Sequence, residues 1–154
     1  MIELKKITHK NYEAVLDLKV AESQKSYVAS NMYCLALAYV DLANGEQPIS
    51  LAIYADETVV GFILLKLVPE NSEGEACYDF FCFMIDEEYQ GKGYGKEAFA
   101  KIINYLKTFP QGFAAAIRLS YDPENQVARK LYQSFGFVET GKASDGETIA
   151  RLGL

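Results

Sequence analysis

Three glycines alternate with other residues in the run Gln90-Gly91-Lys92-Gly93-Tyr94-Gly95. The run lies between an apolar, strand-like stretch, Tyr78 to Ile85, and a helix-like stretch, Lys96 to Lys107. Because glycine has no Cβ atom, its amide can approach a ligand closely and take dihedrals that other residues avoid. The first amides of a helix lack partners within the helix, and the helix dipole adds positive potential there. The run therefore predicts a site for a phosphorylated ligand.

Two common phosphate-binding patterns do not fit this run. The P-loop pattern needs a second glycine five residues after Gly91, where Lys96 stands, and Lys92 is followed by glycine rather than serine or threonine. The dinucleotide pattern G-x-G-x-x-G fails because Gly95 comes one residue early. The loop must therefore belong to another class of phosphate site.

The histidine and cysteine residues of the chain give little indication of metal or thiol chemistry. His9 is the only histidine, so a site of several histidines is excluded, and we expect no metal. Cys34, Cys77 and Cys82 are odd in number and lack C-x-x-C spacing, which predicts reduced thiols. The chemistry should therefore use Tyr, Asp or Glu side chains, backbone groups or water.

The composition is typical of a folded protein, and we expect one domain over residues 1–154. The net charge of −6 argues against nucleic-acid and anionic-membrane partners and is compatible with a cationic substrate. The first residues lack the form of a signal peptide, and no apolar stretch is long enough to span a bilayer. The expectation is a cytoplasmic protein.

The periodicity of apolar residues predicts the elements that position the loop. Strands are expected at Glu3–Ile7, Ser50–Tyr54, Val59–Lys66, Tyr78–Ile85, Phe113–Tyr121, Phe137–Thr140 and Thr148–Leu152. Helices are expected at about Asn11–Val20, Asn31–Leu42, Lys96–Lys107 and Asp122–Phe135, the last with Asp122 as its N-cap. The central strand–loop–helix–strand unit makes its two strands parallel, whereas the flanking hairpins are antiparallel. The predicted fold is α/β (α+β), with a mixed sheet of about six to seven strands and helices on both faces.

Two motifs, one βαβ unit apart, resemble the GNAT acetyltransferase superfamily. Gln90-x-x-Gly93-x-Gly95 matches its pattern [QR]-x-x-G-x-[GA] after a buried strand. Asn125-x-x-Ala128-x-x-Leu131-Tyr132-x-x-x-Gly136-Phe137 is similar to its C-terminal cofactor motif. The resemblance covers roughly Val59 to Thr140 and implies a twisted sheet whose central parallel pair is splayed around acetyl-CoA.

The resemblance also implies which residues hold the cofactor. The pantetheine arm would pair with the backbone of a bulged central strand and accept a hydrogen bond from Asn125. The pyrophosphate would lie on the loop amides, with Gln90 supporting the loop or reaching a phosphate. The expected cofactor-binding residues are Phe83, Ile85, Gln90, Gly91, Lys92, Gly93, Tyr94, Gly95, Lys96 and Asn125.

For catalysis, the resemblance implies direct attack of an amine on the thioester. Tyr132 would protonate the departing thiolate, because the ordinary pKa of a phenol exceeds that of a thiol. Asp79 is the candidate base, since it is the only carboxylate within the buried strand. Water held by backbone carbonyls is the alternative base. The amide of Ile85 would donate to the developing oxyanion.

The acceptor is indicated by a narrower resemblance. Gln24-x-x-Tyr27-Val28-x-x-Asn31 and Phe83-Met84-Ile85-Asp86 are similar to bacterial polyamine or diamine N-acetyltransferases, which implies an acceptor such as spermidine or spermine. The expected substrate-binding residues are Glu22, Tyr27, Asn31, Tyr33 and Glu75, through ion pairs and cation–π contacts. Acetylation of a protein amine, an amino acid or an aminoglycoside stays open, as does a non-catalytic acetyl-CoA sensor. Because such enzymes are often dimers, a homodimer also stays open.

Overall fold

Seven strands form one mixed sheet in the computed structural model, which describes residues 1–154 throughout. The strands are β1 (Ile2–Lys6), β2 (Ile49–Ala55), β3 (Thr58–Val68), β4 (Cys77–Ile85), β5 (Ala116–Tyr121), β6 (Val138–Lys142) and β7 (Thr148–Gly153). The helices are α1 (Tyr12–Asp17), α2 (Asn31–Ala43), α3 (Tyr94–Leu106) and α4 (Gln126–Ser134). The strand order is β1-β2-β3-β4-β5-β7-β6, and all neighbours are antiparallel except β4 and β5. The predicted fold class is confirmed.

The central parallel strands β4 and β5 part soon after they meet. They pair only from Cys77 and Ala116 to Asp79 and Arg118. Beyond this point, the remainder of each strand has no partner across the gap. On its other side β4 carries a bulge, because Phe80 and Cys82 pair with successive residues of β3 and Phe81 is left over. The splayed pair and the bulge agree with the sequence-based expectation.

Both faces of the sheet are covered, which explains the nearly continuous apolar sequence of β4. The larger cluster lies between the sheet and the helices α3 and α4, around the fully buried Phe99. The ring of Phe99 lies 5.1–5.8 Å, centroid to centroid, from five other aromatic rings. The smaller cluster lies under α1 and α2 and includes Cys82 and Met84 of β4. Alternate residues of β4 therefore anchor it to two separate cores.

Helices α4 and α1 depart most from their predicted bounds. Helix α4 begins after Asn125, whose Oδ1 accepts from the amide of Ala128 at 3.1 Å; Asp122 instead accepts from the amide of Glu124 in the preceding turn. Helix α1 ends at Asp17. Two residues later, the amide of Lys19 donates to Oδ2 of Asp86, and its carbonyl oxygen accepts from the amide of Glu87. These bonds tie the chain to the segment after β4. Local cap and periodicity signals cannot anticipate such contacts.

The prediction of three reduced cysteines is wrong for two of them. Cys34 of α2 and Cys82 of β4 form a disulfide, with their Cα atoms 6.8 Å apart, while Cys77 is buried and free. Both partners belong to the smaller cluster, where α2 packs on β4. The pairing depends on this packing and not on spacing along the chain, so the sequence alone did not reveal it.

None of the helices combines the length and the apolar character needed to cross a membrane.

Candidate active site

A cavity of about 650 Å³ opens where β4 and β5 part. Its walls come from residues 20–29 before α2, the open half of β4, the glycine loop with the start of α3, the end of β5, and α4. Most of the lining side chains are hydrophobic, as is usual for a small-molecule site. The predicted site residues that line it are Tyr27, Phe83, Ile85, Gln90, Gly91, Gly93, Tyr94, Gly95, Lys96, Asn125 and Tyr132.

The glycine loop presents a row of unpaired amides. Gly91 and Gly93 have φ angles of +76° and +82°, in the left-handed region that side chains with a Cβ rarely adopt. Helix α3 begins directly afterwards, at Tyr94. The six consecutive amides from Gly91 to Lys96 donate to no acceptor within the protein. Such a row at a helix N-terminus fits the diphosphate of a nucleotide cofactor.

The side chain of Gln90 fastens this loop to its surroundings. Its Nε2 donates to the carbonyl oxygen of Ile85 and to Oε1 of Gln24, each at 2.9 Å. In return, Nε2 of Gln24 donates to its Oε1 at 3.1 Å. Gln90 therefore joins the loop to the end of β4 and to the short 3-10 helix Glu22–Gln24. These bonds fit the loop-supporting role rather than direct contact with a phosphate.

The open edge of β4 has backbone groups ready to pair with a ligand. The amide of Asp86 donates to Val60 of β3 at 2.8 Å. Because strand residues bond alternately to the two sides, the amides of Phe83 and Ile85 face away from β3 and toward the gap. The carbonyl of Ile85 is taken by Gln90. The amide and carbonyl of Phe83 and the amide of Ile85 stay available for an extended ligand.

Helix α4 brings Asn125 and Tyr132 to the opposite wall. Since Oδ1 of Asn125 caps the helix and its Nδ2 has no protein partner, the amide group can donate into the cavity. Tyr132 is buried among aromatic rings, and its hydroxyl makes no hydrogen bond within the protein. Burial, aided by Tyr121 and Glu147, raises the pKa of Tyr132 well above that of an ordinary tyrosine. The phenol is therefore held protonated, as a proton donor must be.

Asp79 does not line the cavity. It lies where β4 and β5 are still paired, in register with Lys66 on one side and Arg118 on the other. Burial raises the pKa of Asp79, and the charges of Arg118 and Lys66 oppose that rise. This position gives no support to its predicted role as base, which stays a prediction.

Of the five predicted substrate-binding residues, only Tyr27 reaches the cavity. Glu22 is exposed and pairs with Lys25 at 2.6 Å, and Glu75 forms two hydrogen bonds with Arg151. The remaining two, Asn31 and Tyr33, also lie outside the cavity wall. Asn31 is buried, where its Nδ2 donates to the carbonyl of Val15 at 2.9 Å, and Tyr33 is 61% exposed on α2. Their substrate roles likewise stay predictions.

Lys92, predicted to contact the cofactor, also lies off the cavity wall, and its Nζ lies 5.3 Å from the centre of the Tyr89 ring.

Sequence reasoning missed two polar residues that line the cavity, Ser120 and Glu147. Ser120 lies near the end of β5, and Glu147 directly precedes β7. The Asp145-Gly146 turn predicted the hairpin, but nothing nearby marked Glu147 as a cavity residue. Its placement depends on β7 lying between β5 and β6, which local patterns do not specify.

Comparison with known proteins identifies the family. A sequence model of the acetyltransferase (GNAT) family matches residues 12–137. The chain belongs to this family. GNAT enzymes take their acetyl group from acetyl-CoA, and the site geometry above agrees with that chemistry. The protein is therefore an N-acetyltransferase.

Two curated relatives align with nearly the whole of this chain. The spermine/spermidine N(1)-acetyltransferase of Bacillus subtilis (strain 168) is 36% identical over 96% of this chain and 95% of its own. The probable spermine N(1)-acetyltransferase of Bacillus subtilis subsp. natto is 35% identical over the same shares.

Solved structures of the GNAT fold superpose on almost the whole chain. Spermidine N-acetyltransferase from Vibrio cholerae, in complex with CoA and spermine, has a TM-score of 0.73 at 19% identity and covers 99% of this chain and 94% of its own. The PaiA N-acetyltransferase from Thermoplasma acidophilum, in complex with coenzyme A, has a TM-score of 0.72 at 19% identity and covers 100% and 99%. At 19% sequence identity, the structural similarity shows a shared fold and no more.

Proposed function

We propose that this GNAT enzyme transfers the acetyl group of acetyl-CoA directly to a primary amine of a polyamine such as spermidine or spermine. The observation that carries the proposal is the 36% identity, over 96% of the chain, to a relative named spermine/spermidine N(1)-acetyltransferase. The net charge of −6 is compatible with a polycationic acceptor.

The cofactor would lie in the gap between the splayed strands. The unpaired amides from Gly91 to Lys96 would hold its diphosphate, with Gln90 keeping the loop in place. The pantetheine arm would pair with the backbone of Phe83 and accept from Nδ2 of Asn125. This arrangement uses backbone and side-chain donors that have no acceptor within the protein.

The chemistry would be a single attack, without a covalent enzyme intermediate. The cavity offers no free thiol, because its cysteine, Cys82, is bonded to Cys34, and His9 lies outside it. The amine would attack the thioester carbon while the amide of Ile85 donates to the developing oxyanion. Tyr132, whose raised pKa keeps it protonated, would give its proton to the departing thiolate.

The acceptor would enter from the side of the cavity formed by residues 20–29. Tyr27 lines this side, and its ring would bind an ammonium group by a cation–π contact. The apolar wall formed by Val20, Val28 and Phe81 could contact the methylene chain between the charged nitrogens.

Release of free CoA, followed with a thiol reagent, tests the proposal. Purified protein receives acetyl-CoA and, separately, spermidine, spermine, a diamine and a lysine peptide. We expect rapid release with the polyamines. Release with the lysine peptide alone would favour a protein acceptor, whereas tight acetyl-CoA binding without release on any amine would favour a sensor.

A further inference from the structure

Glu147 is the only carboxylate on the wall of the cavity. The only other charged side chain there is Lys96, at the start of α3, on the side of the glycine loop. A cationic acceptor that enters the cavity therefore meets one negative charge. Of the other predicted acidic residues, Glu22 and Glu75 pair with cations elsewhere and Asp79 lies off the cavity wall.

One carboxylate oxygen of Glu147 accepts a hydrogen bond, and the other is uncommitted. The hydroxyl of Ser120 donates to its Oε2 at 2.6 Å, and Oε1 has no hydrogen-bond partner in the protein. The backbone of Glu147 is also fixed, since its amide donates to Oδ1 of Asp145 and its carbonyl accepts from Ala143, both at 2.9 Å. The backbone is therefore anchored in its turn, and one carboxylate oxygen stays available to an ammonium group.

Glu147 lies close enough to Tyr132 for its charge to act on the phenol. Its negative charge is one of the causes of the raised pKa of Tyr132. The next residue, Thr148, pairs with Tyr121, whose ring centre lies 5.5 Å from that of Tyr132. The carboxylate of Glu147 and the phenol of Tyr132 therefore lie on neighbouring elements that line the same cavity.

We propose that Glu147, oriented by Ser120, binds the ammonium group of the acceptor and takes its proton. This assignment rests on the proposed function. An N–H bond of the ammonium breaks, its proton bonds to a carboxylate oxygen of Glu147, and nitrogen keeps the electron pair. The nitrogen then forms a bond to the thioester carbon, the C–S bond breaks, and the thiolate takes the proton of Tyr132. The nitrogen loses its second proton to solvent, which leaves a neutral amide. Solvent afterwards removes the proton from Glu147 and restores that of Tyr132.

Glu147 shares the cavity with six other titratable side chains. Those on the cavity wall are Lys96 from α3, Tyr121 from β5, Tyr132 from α4, and Tyr27, Tyr89 and Tyr94 from the connecting segments. All six are lysine or tyrosine side chains, and none is a second carboxylate. The pH dependence of the transfer is therefore expected to follow deprotonation of the acceptor amine.

Steady-state kinetics of Glu147→Gln with spermidine test the assignment. At about pH 7 we expect kcat/KM for spermidine to fall about 100-fold or more, as for loss of a general base. Near about pH 10 the deprotonated fraction of a primary amine is roughly several hundred times that at pH 7, so the deficit should shrink to about tenfold or less. Glu147→Asp should retain part of the activity, and Ser120→Ala should show a smaller loss. The control Glu57→Gln removes the same charge from an exposed turn and should leave both values unchanged.

Calorimetry separates this role from a general loss of structure. The Kd for acetyl-CoA of Glu147→Gln should stay within about twofold of the wild-type value, because Glu147 precedes β7 and belongs neither to the glycine loop nor to the open edge of β4. The assignment is overturned if kcat/KM falls less than about threefold at neutral pH, or if the deficit is the same at both pH values. A wild-type protein that binds acetyl-CoA but acetylates no amine would overturn both this assignment and the proposed function.

Discussion

Nε2 of Gln90 donates to the carbonyl oxygen of Ile85 at 2.9 Å and thereby links the two halves of the cofactor site. One half is the glycine loop, with its six unpaired amides, and the other is the open edge of β4. The bond occupies the Ile85 carbonyl and leaves its amide facing the gap. The side chain of Gln90 thus fixes the loop amides, which we propose bind the diphosphate, relative to the Ile85 amide, which we propose donates to the oxyanion.

Gln90→Ala should weaken binding of CoA. The variant removes hydrogen bonds to Ile85 and Gln24 that are each worth about 0.5–1.5 kcal/mol, so we expect Kd to rise by about tenfold. Isothermal calorimetry measures the change, with Gln133→Ala, an exposed position on α4, as control. An unchanged Kd would show that the loop holds its conformation without Gln90.

Gly93→Ala should also weaken CoA binding, for a different reason. Gly93 has a φ angle of +82°, and holding alanine there costs about 1–2 kcal/mol. The expected rise in Kd is about tenfold. Gly141→Ala is the matched control, because Gly141 lies off the cavity wall, has no left-handed φ angle and has room for a Cβ atom. Equal effects of the two variants would contradict the argument from backbone conformation.

Tyr132→Phe should retain acetyl-CoA affinity and lose about 100-fold or more in kcat, since it removes only the acidic proton. In the wild-type enzyme the raised pKa of Tyr132 keeps the phenol protonated, so its ionisation should not lower kcat below about pH 10. Steady-state rates across this range, together with calorimetry, check both statements. A kcat close to that of the wild type would mean that another group protonates the thiolate.

Asp79→Asn should make the protein more stable at neutral pH. The pKa of Asp79 is raised by burial, so the folded state binds its proton more tightly than the unfolded state does. The stability that Asp79 contributes is full below its ordinary pKa of about 3.8 and is lost as pH rises through the raised value. The gain in Tm should therefore be present at neutral pH and vanish in acid. Thermal melts at both pH values measure it.

The same variant decides the catalytic prediction for Asp79. A loss of kcat without a loss of acetyl-CoA affinity would support Asp79 as the base, and an unchanged kcat would exclude it.

Thiol titration should detect one free cysteine per chain in denaturant without reductant, and three after reduction. Cys77 accounts for the first, and the bond between Cys34 and Cys82 for the other two. Because that bond joins residues 48 positions apart, reduction should destabilise the fold by about 2–4 kcal/mol. Three reactive thiols without reductant would contradict the pairing.

The sequence was most informative where a site is built from neighbouring residues. The glycine loop and the stripe from Asn125 to Tyr132 carry their geometry in local spacing, and both line the cavity. The polar groups at the acceptor end were harder to predict. Asp79 looked suitable because it lies in the buried strand, yet the strands part only after it. Glu147 and the Cys34–Cys82 bond depend on strand order and on helix packing, which no local pattern reports.

Competition between acceptors tests the central claim most directly. Equal concentrations of spermidine and a lysine peptide would be incubated with the enzyme and limiting acetyl-CoA, and the products identified by mass spectrometry. The account predicts that nearly all of the acetyl group is found on spermidine. Acetyl groups mainly on the peptide, or on neither acceptor while acetyl-CoA stays bound, would contradict it.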